Sequence, residues 1–235
     1  FAQKVVLFCH ITTRIKGRKH DGLLTKKGGR GFPHLVFMDE QGEVITKPAG
    51  RSVKAFEKGA EQVGSFMKLR NKADKSDAEK VELLTLEIEF GTVSADEARK
   101  RAKELEGSLD DAAKAKLAEG MKVLEARDFE QEIKAALPKK RPAGQEEAKA
   151  VLTKLGEKFW ADYQAGKRPT NNPQGPGQTF YQVMVQYGMQ TKQAGPARAG
   201  YEGLEKIFGG FKQARPQLDR LKKQVEELEA GGGGE

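Results

Sequence analysis

One cysteine, Cys9, occurs in 235 residues. A single thiol cannot close an internal disulfide, nor can it supply a cysteine-based structural zinc site. No apolar run approaches the roughly 18 residues that a membrane-spanning helix needs. A secretory leader would show a charged start and a small-residue cleavage site, and neither is visible. Aromatic residues are scarce at 7%, which counts against the base-stacking platforms of single-stranded nucleic-acid binding. Methionine is missing from the first position. The chain opens at Phe1, with a strand pattern from Lys4, so its start reads as truncated.

Charge is what the chain has in plenty. Forty-two basic and 34 acidic residues give a net charge of +8, with 32% charged and 37% hydrophobic residues. This balance describes a helix-leaning chain with a modest core, long enough for one large domain or two small ones. The positive surplus favours anionic partners in general but defines no site.

Composition shifts between Leu69 and Asp74. Before it lie β-branched runs, glycines and all three histidines; after it Ala, Glu, Lys and Leu recur at helical spacing. The run KVVLFCHITT (Lys4–Thr13) predicts a strand covered on both faces. Val5, Leu7, Cys9 and Ile11 would share one face, and Val6, Phe8, His10 and Thr12 the other. A short helix is expected near Asp21–Lys27, stopped by Gly28 and Gly29. His34–Met38 reads as a second buried strand, DEQG as a hairpin turn and Glu43–Thr46 as a third strand. Ser52 is placed to cap a helix with Val53, Phe56, Ala60 and Val63 on one face. Strand, helix, hairpin and helix in that order predict an α/β arrangement over residues 1–70, a small mixed sheet flanked by helices.

From Ser76 onward the pattern is helical. Residues 75–137 read as helical hairpins whose packing resembles that of tetratricopeptide repeats, although no clean period aligns. Ser94 with Glu97 forms a capping-box pattern, Gly107 ends that helix, and Ser108 is expected to cap the next. Pro138–Gln145 reads as a linker before a C-terminal helical region, 144–230. Within it Lys167–Gln178 is expected to lie outside any regular element. The last helix carries a stripe of Leu218, Leu221, Val225 and Leu228, expected to pack on its own domain. Residues 231–235 read as a disordered tail.

The stretch KKGGRGFPHLVFMDEQGEV (Lys26–Val44), with the strand run before it and the helix after it, resembles the larger, C-terminal part of a thioredoxin-like domain. In that family a loop ending in a cis-proline precedes a β-hairpin and a final helix. Pro33 stands where the family's cis-proline stands. The resemblance covers about the first 65 residues. It implies that Phe32 and Pro33, with Gly31, line a groove for an extended peptide. It further implies that the parent protein is a thiol–disulfide oxidoreductase, attacking a disulfide by a thiolate through a mixed disulfide. The family's strand and Cys-x-x-Cys helix are not found before Lys4, so the resemblance places the redox motif upstream and no catalytic residue in this chain. A bacterial exported setting is slightly favoured by the same likeness. The rival expectations are a redox-inactive scaffold with a helical protein-interaction region, and a nucleic-acid-associated protein driven by basic charge.

Other chemistry-bearing residues point to bland roles. Cys9, in mid-strand, reads as a small buried hydrophobe rather than a nucleophile. His10, His20 and His34 share no ligand spacing, and two neutral ligands without a carboxylate or thiolate make a poor metal site. Neither a metal nor another cofactor is expected. GGRG (Gly28–Gly31) precedes a strand and lacks the Lys-Ser/Thr of a phosphate loop. The basic loop Arg14–Lys19 and Lys139–Arg141 read as solvated, so nucleic acid is not the expected partner. Phe159, Trp160 and Tyr163 read as helix packing. Asp39 and Glu40, in a turn, lack a partnered carboxylate. The expected partners are a protein or peptide thiol or disulfide, or a protein bound by the helices, and no membrane.

Overall fold

The computed structural model describes residues 5–10, 19–140, 142–173 and 175–231. It divides into two compact units, 1–122 and 123–235.

The first unit opens with α1 (Leu23–Lys26), followed by β1 (Phe37–Met38) and β2 (Val44–Thr46). The two strands pair antiparallel, Phe37 opposite Thr46 and Met38 opposite Val44. Asp39 makes the turn: its Oδ1 accepts from the N–H of Gln41 at 3.1 Å and of Glu43 at 2.8 Å. Gly42, with φ +77°, supplies the left-handed backbone the turn needs. Helix α2 (Val53–Asn71) starts where the Ser52 side chain accepts from the N–H of Ala55. It lies against the hairpin, Gly59 facing the Phe37 ring and Phe66 burying itself with Ile45, Leu69 and Leu83. Burying Phe66 contributes about 2–3 kcal/mol.

Helices α3 (Asp77–Phe90), α4 (Ala95–Leu105) and α5 (Asp111–Ala136) follow, with a 3₁₀ turn at Glu106–Ser108. Their ends obey local chemistry, with two differences from expectation. The complete capping box is at Ser76 and Glu79, whereas Ser94 makes only the forward half, accepting from Glu97 N–H. Asp110, rather than Ser108, caps α5, its Oδ1 accepting from Ala113 N–H at 2.8 Å. Gly91, at φ 72°, closes α3.

The second unit combines the later turns of α5 with α6 (Gln145–Gln164), α7 (Gly177–Thr191), α8 (Ala194–Phe208) and α9 (Arg215–Gly231). Its core centres on Phe180, whose ring meets Phe129, Phe159 and Tyr181 with centroids 5.2, 5.0 and 5.1 Å away. Gly200 and Gly203 of α8 let it approach Tyr181 and Val185 of α7 too closely for any larger side chain. The stripe of α9 is buried at Leu218 and Val225 and half-buried at Leu221 and Leu228, all four packing on this core.

The expected α/β thioredoxin-like fold is overturned. Nine α-helices stand beside a single two-stranded sheet among the described residues. Of the expected first strand, Val5–His10 has no strand structure, and Val6 (97% exposed), Leu7 and Phe8 face solvent; Lys4 and Ile11–Thr13 lie outside the described residues. A strand needs a neighbouring edge for its N–H and C=O groups and cover on both faces. The hairpin, with Phe37–Met38 and Val44–Thr46 shorter than expected, gives Val5–His10 neither. The expected loop Lys167–Gln178 also ends early, since Gly177 and Gln178 already belong to α7. The expected tail lies outside the described residues from Gly232 onward.

Candidate functional site

The loop before β1 carries the residues that the sequence singled out. The Phe32–Pro33 bond is cis; Gly31, Phe32 and Pro33 are exposed, Phe32 to 66%. His34 steadies the loop, its Nε2–H donating to the Lys27 carbonyl at 2.9 Å. Because a carbonyl only accepts, that ring nitrogen carries the proton.

Cys9 is exposed, not buried as its sequence context suggested. His10 keeps a buried Nε2 without a partner among the described residues, while His20 sits exposed in a turn with φ +67°. Among the described residues no group of three or more His, Cys, Asp or Glu is arranged to hold a metal ion. Asp39 is spent on its turn and on Arg70, 3.5 Å away, and Glu40 is an exposed turn residue. Gly28, at φ +76°, shapes the approach to the loop. Lys139 and Lys140 are exposed; Arg14–Arg18 and Arg141 lie outside the described residues. Phe159 is core, and Trp160 and Tyr163 pack half-buried against that core, stacked 5.6 Å apart with the Arg168 guanidinium 3.3 Å from the Tyr163 ring centre.

A concavity of a different kind lies in the second unit. A groove of about 630 Å³ runs between α7, α8 and α9, within the size range of small-molecule pockets. Gln178, Gln182, Val185 and Gln186 come from α7, Leu204 and Phe208 from α8, and Gln217, Leu218 and Leu221 from α9. Phe211, Gln213 and Ala214 of the intervening turn complete it. The turn holds its shape through Phe211 N–H to the Phe208 carbonyl (2.8 Å) and Ala214 N–H to the Phe211 carbonyl (2.9 Å). These bonds leave Phe211 51% exposed at the groove, its ring 6.1 Å from that of Phe208.

None of the twelve lining residues is charged, in a chain that is 32% charged. The ion pairs stand outside the groove and hold α9 on α8. Arg198 Nε donates to Glu229 Oε1 at 2.8 Å while its Nη2 meets Oε2, and Arg215 reaches Glu205 at 3.3 Å. The hydrogen bond from Arg198 holds the Glu229 carboxyl below its ordinary range. Burial pushes the Tyr181 phenol up, the Arg168 charge opposing. Neither group lines the groove, so its recognition chemistry rests on apolar contact and neutral carboxamides.

Sequence reasoning passed over this groove. The one visible signal was Gln178, Gln182 and Gln186 at four-residue spacing, and treating Gln178 as loop concealed it. Comparison with protein-family models, curated proteins and solved structures finds no match.

Proposed function

We propose that the chain is a non-catalytic protein-interaction module whose second unit docks a peptide segment in the groove between α7, α8 and α9. The observation that carries this reading is an uncharged, part-apolar trough ending at the exposed Phe211 ring. Interface cores are depleted of charge and enriched in aromatic anchors. The test is selection of a random peptide library on the whole chain. Enriched peptides should bind saturably, and Phe211→Glu, at an exposed position that leaves the core intact, should weaken them at least tenfold. No enrichment, or equal binding to Phe211→Glu, would overturn the reading.

A second reading retains the family resemblance: a thioredoxin-family parent in which Phe32 and Pro33 meet an extended substrate. What supports it is the exposure of Phe32 in a loop ahead of the β1–β2 hairpin and α2. With Cys9 as the only cysteine here, dithiol chemistry in such a parent would use cysteines outside these residues. On this reading Phe32→Ala weakens peptides that bind at the loop and leaves those of the groove unaffected.

A further inference from the structure

We infer that the groove holds the main chain of an extended, uncharged peptide through a ladder of glutamine carboxamides, an inference that rests on the docking role proposed above. Gln178, Gln182 and Gln186 stand four residues apart on α7 and all three line the groove. At a rise of about 1.5 Å per residue, successive rungs lie about 6 Å apart along the helix. An extended peptide repeats every two residues in about 6.6–6.8 Å. The mismatch of under about 1 Å per rung is within the reach of a flexible glutamine side chain, so three rungs can follow alternate peptide units. Each carboxamide offers a donor and an acceptor, matching the C=O and N–H of a peptide unit.

The rungs are also available. Among the described residues, the side chains of Gln178, Gln182 and Gln186 make no hydrogen bond, nor does that of Gln217 on the α9 side. Their neighbours are engaged: Gln190, the next position in the row, donates to Thr153 Oγ1 at 2.9 Å, and Gln193 donates to the Tyr187 hydroxyl at 3.4 Å. Gln190 therefore closes the ladder at its C-terminal end.

The apolar lining selects the side chains. An extended segment directs every second side chain to one face, here onto Leu204, Phe208 and Leu218. A charged side chain placed there would be desolvated with no opposite charge in the lining, at a heavy cost. The ligand class is therefore a segment uncharged at alternate positions, read mainly through its backbone.

The probe is an acetylated, amidated heptapeptide alternating serine and leucine, carrying a fluorescent label and titrated with the whole chain by anisotropy. Saturable binding is expected. It should weaken about fivefold per rung in Gln182→Leu and Gln186→Leu, the effect of losing one hydrogen bond of about 1 kcal/mol. N-methylation of alternate amides should weaken it similarly, and glutamate in place of the central leucine should abolish it. Binding that needs Phe211 but ignores both glutamine changes and N-methylation would overturn the ladder and leave the docking role standing. Equal binding of the glutamate peptide, or failure of this probe while library-selected peptides bind, would overturn the ligand class alone. If no peptide binds, both proposals fall. A dimer in sedimentation that Phe211→Glu disperses would assign the groove to a second copy and overturn the inference.

Discussion

Gly200 stands where α8 meets α7, and a Cβ there would lie 2.6 Å from the Tyr181 carbonyl oxygen and 2.8 Å from the Val185 amide nitrogen. Both obstacles are backbone, so no rotamer change relieves them. Alanine would gain about 1 kcal/mol of helix propensity, but overpacking against backbone falls in the upper part of the usual range, about 2–3 kcal/mol. Gly200→Ala should therefore lower stability in urea unfolding by about 1–2 kcal/mol net, and an unchanged midpoint would show that the two helices can separate freely. Cys9 makes the opposite case, a residue whose surroundings are open. Its thiol should react fully with a colorimetric disulfide reagent without denaturant; protection until unfolding would restore the buried strand. That an uncharged segment holds an apolar, β-branched pattern is visible in the residues, but whether anything covers it is not.

At the scale of elements, most helix boundaries follow from neighbours in the chain. Ser52, Ser76 and Ser94 each accept from the N–H three residues on, and Gly91 turns left-handed to close α3. All are short-range events that residue type and spacing announce. Ahead of α5 residue type points to Ser108, but Ser108 is taken up in the 3₁₀ turn at Glu106–Ser108 and the cap falls to Asp110. Asp110→Ala should therefore cost about 1 kcal/mol of stability, while Ser108→Ala should cost much less; equal losses would contradict the assigned cap. The attachment of α9 has a pH signature. Because the Arg198 hydrogen bond lowers the Glu229 carboxyl in the folded chain, the pair stabilises above the ordinary carboxylate range. That stabilisation disappears as pH falls through the lowered value. The stability difference between the native chain and Glu229→Gln, measured in urea across acid to neutral pH, should shrink toward acid. A constant difference would mean that the pair does not hold α9.

For the whole molecule, a net charge of +8 and a groove without charged lining make opposite demands on a partner. Non-specific attraction to polyanions falls steeply with salt, whereas a neutral peptide in a neutral groove releases few counterions. Peptide affinity should change less than about twofold between low and physiological salt, and a steep loss would place the binding surface on the basic exterior. The sequence by itself determined the helical stretch from Ser76 onward, the caps at Ser52 and Ser94, the β-hairpin turn at Asp39–Gly42 and the inward stripe of α9. A helix makes its hydrogen bonds within a few residues, so local pattern suffices. Only the tertiary structure decided that Val5–His10 stays outside the sheet and that Gln178–Gln186, Phe211 and Leu218 enclose one groove. A strand must find its partner elsewhere in the chain, and a groove exists only when separate helices come together. Both depend on which surfaces meet, which no local spacing encodes.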